Sequence, residues 1–403
     1  MPEPFKAVKI TDRVYWVGAI DWAIRDFHGY NTSRGTTYNA YLVLADKVIL
    51  VDTVKAPFRN EMMARIRSVV EPGKIDCIIS NHSEMDHSGS LPEVIAEVKP
   101  EKVFASKMGL KALSRHFHNG LEITPVENAS SLEIGGANFT FFETRMLHWP
   151  DSMVSYLAED GILFSQDAFG MHLASSEHFA DRLPMDVMQR EAAKYYANII
   201  LLYSQQVAKT LEKLGELNLD LKFIAPDHGP IWREDLGRMP DLYKKWAAQK
   251  PNMKAVVLFD TMWGSTGKMA NAISEGLIEG GAAVKVMPLS STHRSDVATE
   301  LLECGALVVG SPTLNNGIFP TLADCLTYIK GLKPKNLVGA AFGSYGWSGE
   351  SVKQLAAMLE EIKVEPVGEN VKVQYVPTSD DLERCKALGL QVAAAMKEKR
   401  EDK

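Results

Sequence analysis

The six residues His82-Ser83-Glu84-Met85-Asp86-His87 put four potential metal ligands directly behind the apolar run Cys77-Ile78-Ile79. A buried strand ending in such a group frames a metal site. The strand end is rigid, and the loop beyond it can turn several side chains toward one point. The rest of the chain has to fold so that further groups complete this site. Three isolated residues stand in the same relation to apolar runs: His148 after a strand ending near Met146, Asp167 after Phe164-Ser165-Gln166, and His228 after a strand at 223–225. A single His after a strand is ordinarily a capping or turn residue. The convergence of three such residues with the motif is what points to a shared site.

A chain of 403 residues exceeds one ordinary core, so two domains are expected. The formal net charge of -7, with no basic block, argues against a nucleic-acid surface and leaves a small molecule or a protein as partner. No apolar run reaches about 18 residues, so no membrane span is expected. Met1-Pro2-Glu3-Pro4 lacks the basic-then-apolar pattern of a signal peptide. The cysteines, Cys77, Cys304, Cys325 and Cys385, form no C-x-x-C pair. That speaks against a zinc ribbon or a thiolate-held iron and fits a reducing cytoplasm.

In the first half the spacing predicts strands over 7–20 and 37–53, the latter a hairpin around Ala45-Asp46-Lys47, with a polar loop from Arg25 to Asn31 between them. Helices are read at 57–70, 91–98 and 107–117, with a strand at 102–105. Then come a hairpin over 132–143 turning at Gly135-Gly136, a strand pair around Glu159-Asp160-Gly161, and a helix over 186–214. The sum is two sheets covered by helices. His28 in the polar loop and the neighbouring pair Tyr195 and Tyr196 are candidate proton donors beside a metal-bound species, with aromatic packing on an amphipathic helix as the alternative for the two tyrosines.

A helix at 236–250 is broken by Lys250-Pro251-Asn252, which sets the domain boundary: residues 1–250 and 251–403. Beyond it, strands at 254–260, 283–289, 306–311, 336–342 and 371–377 alternate with helices at 267–280, 297–304, 320–330, 349–362 and 380–399, the pattern of a doubly wound parallel sheet. After the first strand, Thr261-Met262-Trp263-Gly264-Ser265-Thr266 leads into a helix. Hydroxyls, backbone N–H groups and the helix dipole there make a phosphate site that is neither G-x-G-x-x-G nor Walker A. Ser311-Pro312-Thr313-Leu314-Asn315-Asn316-Gly317 follows the third strand, and Ser344-Tyr345-Gly346-Trp347-Ser348-Gly349 the fourth, both on the edge where open α/β sheets bind ligands.

On these residues the first half resembles the metallo-β-lactamase superfamily. His82, Asp86, His87, His148, Asp167 and His228 occur in its order, and Glu84 replaces the second His, as in the flavodiiron branch. A carboxylate in place of an imidazole favours iron or manganese over zinc. The resemblance implies one iron on His82, Glu84 and His148, another on Asp86, His87 and His228, and Asp167 bridging; the sequence leaves open whether His87 or a water completes the second set. The second half resembles flavodoxins in its phosphate loop, with Trp263 where that pattern has a hydroxyl, and in the two loops that enclose an isoalloxazine ring, with Trp347 as the stacking aromatic.

The expected architecture is thus α/β and α+β: a metallo-β-lactamase-like αββα sandwich followed by a flavodoxin-like doubly wound parallel sheet. A flavodiiron resemblance over the whole chain implies two non-haem iron ions and FMN, reduction of O2 to water with reduction of NO to N2O as a second activity open to it, electrons from rubredoxin or a similar small carrier, and a head-to-tail homodimer. The sequence does not decide between O2 and NO. A zinc-dependent hydrolase with a fused flavodoxin as regulatory module is the alternative. An electron carrier with a structural metal site is a third reading, and the wealth of ligands argues against it.

Overall fold

Apolar runs too continuous for one solvated face become the buried centre of a sandwich. In the computed structural model, which describes residues 4–118 and 120–401, Tyr41–Leu44, Val48–Val51 and Ile75–Ser80 are covered on both faces. Met1 to Glu3, on which part of the N-terminal reading rests, lie outside the described residues. The chain divides into two compact units. The first runs to His28, then Thr32–Tyr195 and Gln205–Lys244; the second takes Gly29–Asn31, Tyr196–Ser204 and Lys245 onward. Among the described residues no helix is long and apolar enough to cross a membrane.

The first unit holds a seven-stranded sheet in the order Val8–Lys9, Val14–Trp16, Tyr41–Leu44, Val48–Val51, Ile75–Ser80, Lys102–Ser106, Thr124–Val126. It is antiparallel as far as Val48–Val51 and parallel beyond. A five-stranded sheet, Ser130–Ile134, Ala137–Glu143, Met153–Leu157, Ile162–Gln166 and Phe223–Pro226, lies against it. Trp16, Val43 and Ile79 of one sheet meet Phe139, Phe141 and Phe164 of the other in the shared core. On the outer face of the larger sheet, Leu42, Leu50 and Ile78 pack under Met62, Met63 and Ile66 of the helix Arg59–Arg67, Leu91 and Val94 of Leu91–Val98, and Leu113 of Lys107–Phe117.

Strand register places the ligands. Gln166 pairs with Pro226 across parallel strands, so Asp167 and His228 leave the same edge side by side. Met153 N–H donates to Asn81 O at 3.1 Å, which ties the loop after Ile75–Ser80 to the other sheet.

Two expected elements differ. The stretch 7–20 is three short strands rather than one, and the third, Ala19–Asp21, pairs with Thr36–Tyr38 away from the main sheet. The chain bends at Gly18, where a Cβ would stand 2.2 Å from Tyr38 O. The helix over 186–214 is interrupted: Met185–Tyr195 passes through a π turn at Tyr196–Ile200 and a tight turn at Leu201–Tyr203 before Ser204–Glu216 resumes.

In the second unit Ala283–Pro288, Lys254–Phe259, Ala306–Pro312 and Val338–Tyr345 are parallel neighbours in that order. The fifth position is shared by Glu365–Pro366 and Val371–Gln374, both paired to Val338–Tyr345. This is the 2-1-3-4-5 order of the flavodoxin arrangement. The helices Ser265–Glu279 and Ser379–Glu401 cover one face, and Arg294–Leu301, Pro320–Leu332 and Ser351–Ile362 the other. The strand expected at 371–377 stops at Gln374, and the next two residues turn outward.

Candidate metal centre and flavin site

At the strand edge of the first unit, His82, Glu84, His148 and Asp167 form one set of converging donors, and Asp86, His87 and His228 a second. Asp167 Oδ2 lies 3.2 Å from His82 Nε2 and 3.1 Å from His148 Nε2. Its other oxygen, Oδ1, lies 3.4 Å from His87 Nε2 and 3.6 Å from His228 Nε2. One carboxylate therefore faces both sets. Glu84 Oε2 is 3.3 Å from His82 Nε2 and 3.1 Å from His148 Nε2; Asp86 Oδ2 is 3.4 Å from His87 Nε2 and 3.2 Å from His228 Nε2. His87, left open by the sequence, is turned inward, its Nε2 3.1 Å from that of His228.

The donor set fits a pair of metal ions. Separations of this size are what two ligands, each about 2.1 Å from a common ion, adopt. Oδ1 of Asp86 and Oδ1 of Asp167 are buried without a hydrogen-bond partner, which calls for a cation. The charges agree. Burial alone would raise the Asp167 carboxyl and lower the imidazoles. Instead His82, His148 and His87 hold Asp167 well below the carboxylate range, while Asp167, Asp151 and Glu84 hold His82 well above the imidazole range. Burial likewise works against the charged forms of Glu84 and His148. His148 and His82 nonetheless bring Glu84 down to about 2, and Asp167 and Glu84 raise His148 to about 9. Ionised carboxylates thus gather positive charge at the spot, a charge that metal ions would supply in place of the imidazole protons.

Groups behind the donors orient them. His82 Nδ1–H donates to Asp151 Oδ2 at 3.2 Å, and that oxygen also accepts Ser83 N–H at 2.7 Å. His228 Nδ1–H donates to Thr37 O at 2.6 Å, which leaves Nε2 facing the site. Asp227 Oδ2 is 3.6 Å from His87 Nδ1; burial, then neighbouring Asp52, push the Asp227 carboxyl well above its usual range. Asp52 in turn accepts both the N–H and the side-chain amide of Asn81.

Of the candidate proton donors, His28 reaches the site, Nε2 3.3 Å from Glu84 Oε1, with its side chain 75% exposed. Tyr195 is fully buried, its ring 5.1 Å from His172 and 6.1 Å from His228. Tyr196 is not brought there. Its hydroxyl is 3.2 Å from Ser204 Oγ and its ring 5.3 Å from Trp246, because successive helical side chains point about 100° apart. The sequence reading missed His172, fully buried with its ring 4.6 Å from that of His228. Its position five residues beyond Asp167, past the same strand end, is the signal that could have found it.

In the second unit the three loops surround a cavity of about 840 Å³, within the range of small-molecule sites. Met262, Trp263 and Ser265, then 312–316, then 344–348 line it. Tyr375 and Val376, which follow the last strand and were not anticipated, complete the wall. The remaining loop residues shape rather than line it. Thr261 Oγ1 accepts Gly264 N–H at 3.0 Å, and Gly264 has φ +85°. The hydroxyls of Thr266 and Ser344 meet at 2.9 Å. Ser311 Oγ accepts Phe319 N–H at 3.0 Å, Leu314 and Gly317 exchange backbone bonds, and Gly349 turns with φ +84°. Trp263 is 94% and Trp347 87% exposed. Indoles standing free in a cavity wall, beside a helix N-terminus, fit a flat ring carrying a phosphate.

Fold and donors together define an oxidoreductase class: a dinuclear-metal domain of lactamase fold joined to a flavodoxin. Residues 36–229 match the family model described as ODP family beta lactamase, and 257–389 the flavodoxin model. The chain belongs to the flavodiiron protein family, with FMN and two non-haem iron ions as cofactors. It is 45% identical over 391 residues to a nitric oxide reductase of Moorella thermoacetica, covering 96% of this chain and 98% of that one. It is 46% identical over 398 residues to the rubredoxin-oxygen oxidoreductase of Megalodesulfovibrio gigas, covering 98% and 99%. Among solved structures, the flavodiiron protein from Giardia intestinalis superposes with a TM-score of 0.95 at 31% identity over 100% of this chain and 99% of that one. Relatives of full length named as oxidoreductases do not favour the hydrolase alternative.

Proposed function

We propose that the protein reduces O2 to water and NO to N2O at two iron ions held by residues 1–250, with electrons passing through FMN held by 251–403. The observation that carries this is the Asp167 carboxylate, which offers one oxygen to each of two donor sets. The names of the two relatives, one for nitric oxide and one for oxygen, support the pair of substrates.

His82, Glu84 and His148 would hold one ion, Asp86, His87 and His228 the other, and Asp167 would serve both. When bound, the iron pair and the flavin supply the electrons and the open positions a diatomic needs. O2 takes four electrons and four protons to two waters; two NO take two of each to N2O and water. The protein's part is to bury the donors, hold their lone pairs on target and bring protons. His28, beside Glu84 and open to solvent, and Tyr195, within the wall, are placed for the last task.

We place Trp347 against the flavin ring, the backbone of 313–316 at the ring edge and the turn 261–266 at the phosphate. A separate carrier reduces the flavin; relatives named rubredoxin-oxygen oxidoreductase and flavorubredoxin support a rubredoxin-like donor. A head-to-tail homodimer, the FMN of one copy meeting the metal centre of the other, is the arrangement the family implies, and the uncovered Trp22 and Met85 of the first unit support it. Free, buried cysteines support a cytoplasmic setting.

Elemental analysis and the visible spectrum of the purified protein test the reading, with about two iron and one FMN per chain expected. Stopped-flow mixing of the reduced protein with O2 and NO then measures turnover. Two zinc without iron, after expression in iron-replete cells, would return the hydrolase. Replacing Trp347 by Ala should weaken FMN by about fivefold to tenfold, the worth of roughly 1 kcal/mol of stacking, and leave iron content unchanged. Unaltered FMN affinity would remove Trp347 from the ring site.

A further inference from the structure

The strand end that carries Asp167 also holds the loops of two other ligands. Gln166, the residue before it, is fully buried at the end of Ile162–Gln166. Its backbone O accepts Asp227 N–H at 2.8 Å, which fixes the residue before His228. Its side-chain Nε2 donates to Leu147 O at 2.6 Å, which fixes the residue before His148. The partner orients the amide: a carbonyl only accepts, so the NH2 end has to face Leu147. One residue thus ties the loops of His148 and His228 to the strand end of Asp167, the first through its side chain and the second through its backbone.

Bonds within the turn around His148 set its shape but not its place. Leu147 N–H donates to Thr144 O at 2.9 Å and Met146 N–H to Trp149 O at 2.8 Å. The far end of the turn is held by Asp151, whose carboxylate accepts from His82 and Ser83 and whose carbonyl accepts Ser106 Oγ–H at 2.8 Å. Gln166 holds the near end. Leu147 O belongs to the planar peptide unit that ends at the His148 Cα, so a bond to it fixes where that Cα stands. The hold matters most for this ligand. The His148 side chain is 13% exposed, against at most 2% for His82, His87 and His228, so packing restrains it least.

We infer that Gln166 is a positioning residue for His148: its side-chain amide keeps that imidazole aimed at the ion of the first donor set. The two ties answer differently to substitution. The bond to Leu147 goes with the side chain, whereas the bond to Asp227 is backbone and stays. A change at Gln166 therefore acts on the first set and spares the second. The inference rests on the reading of His148 as a ligand.

The test is anomalous scattering at the iron edge on crystals of the iron- and FMN-loaded protein, together with iron release to a chelator in solution, for the parent, Gln166→Met and Gln166→Asn. Met keeps the length and loses the donor; Asn keeps the amide and withdraws it by one carbon. Each variant should release the ion at His82, Glu84 and His148 about tenfold faster, the low end for a group supporting a ligand, and show that position partly empty. The other ion should leave at the parent rate. Phe141→Leu, which loosens the core between the two sheets without touching a tie, should release both ions as the parent does. Parent-like release in both Gln166 variants, both ions leaving faster together, or the same one-site loss in Phe141→Leu overturns the inference. Either Gln166 variant decides the matter if the other does not fold. Parent crystals separate the two readings. If iron binds there without His148, the ligand assignment fails; if His148 is bound and the Gln166 variants are unchanged, only the role of Gln166 fails.

Discussion

Replacing Asp167 by Asn should take iron content from about two per chain to below one and cut turnover by at least the roughly 100-fold seen when a group supporting a metal is lost, while FMN remains bound. The expectation follows from the two faces of a single side chain. Oδ2 is 3.1–3.2 Å from the Nε2 atoms of His148 and His82, and Oδ1 3.4–3.6 Å from those of His87 and His228. An amide of the same shape keeps one oxygen. On the other side it presents an NH2 group, which donates and cannot ligate. It also removes one of three negative charges facing two cations, at a site where Asp167 is the carboxylate drawn furthest into both sets. Among the described residues, Glu84 faces His82 and His148 of the first set and Asp86 faces His87 and His228 of the second, so neither stands where Asp167 does. Iron by elemental analysis and FMN by absorbance on one sample give both numbers. A variant that keeps two irons and full turnover would mean that Asp167 does not bridge.

How far the sequence carried this site depended on whether partners were neighbours in the chain. His82, Glu84, Asp86 and His87 fall within six residues, so a strand end was enough to group them. His148, Asp167 and His228 were visible as strand-end residues whose convergence with the motif pointed to a shared site, and the family order then assigned each to a set. The groups behind them left no trace. Asp151 meets His82 across 69 positions, Asp52 meets Asn81 across 29, and Thr36 meets His172 across 136. Side chains of these types are ordinary in turns, and only the closed sandwich brings them together. The break near Tyr196 was hidden for another reason. Tyr195, Tyr196, Ile199, Ile200 and Leu201 keep a helix-like apolar rhythm straight through the π turn, so periodicity predicts continuity where the backbone widens. In the second unit, strict alternation made the fold legible. The split fifth strand was not, because Glu365–Pro366 is two exposed residues with no apolar signature.

Substituting alanine for one glycine of the second unit should destabilise it by about 2–3 kcal/mol, the cost of overpacking, and the same change at another glycine should not. The helices Ser265–Glu279 and Ser379–Glu401 approach closely because small residues line their contact. A Cβ on Gly276 would stand 2.0 Å from Lys386 O, one on Gly389 2.1 Å from Ile273 O, and one on Gly280 2.3 Å from Ala393 Cβ. In the first two cases the obstacle is backbone, which cannot swing aside as a side chain can. Gly276→Ala therefore forces the helices apart and loosens the contacts of Ile273 and Leu277 with Leu388 and Val392, all buried. Gly331, near the end of Pro320–Leu332, has nothing within 4 Å of its would-be Cβ, so Gly331→Ala should be neutral or stabilising by up to about 1 kcal/mol from helix propensity alone. Calorimetry should show the flavin-binding transition falling by about 5–10 °C in the first variant, at 2–4 °C per kcal/mol for a unit of this size, and unchanged or raised in the second. Because Ser265–Glu279 begins at the turn assigned to the phosphate, FMN should also leave Gly276→Ala at a lower temperature, with iron unaffected. Equal melting of the two variants would show that the helices are not held at backbone contact.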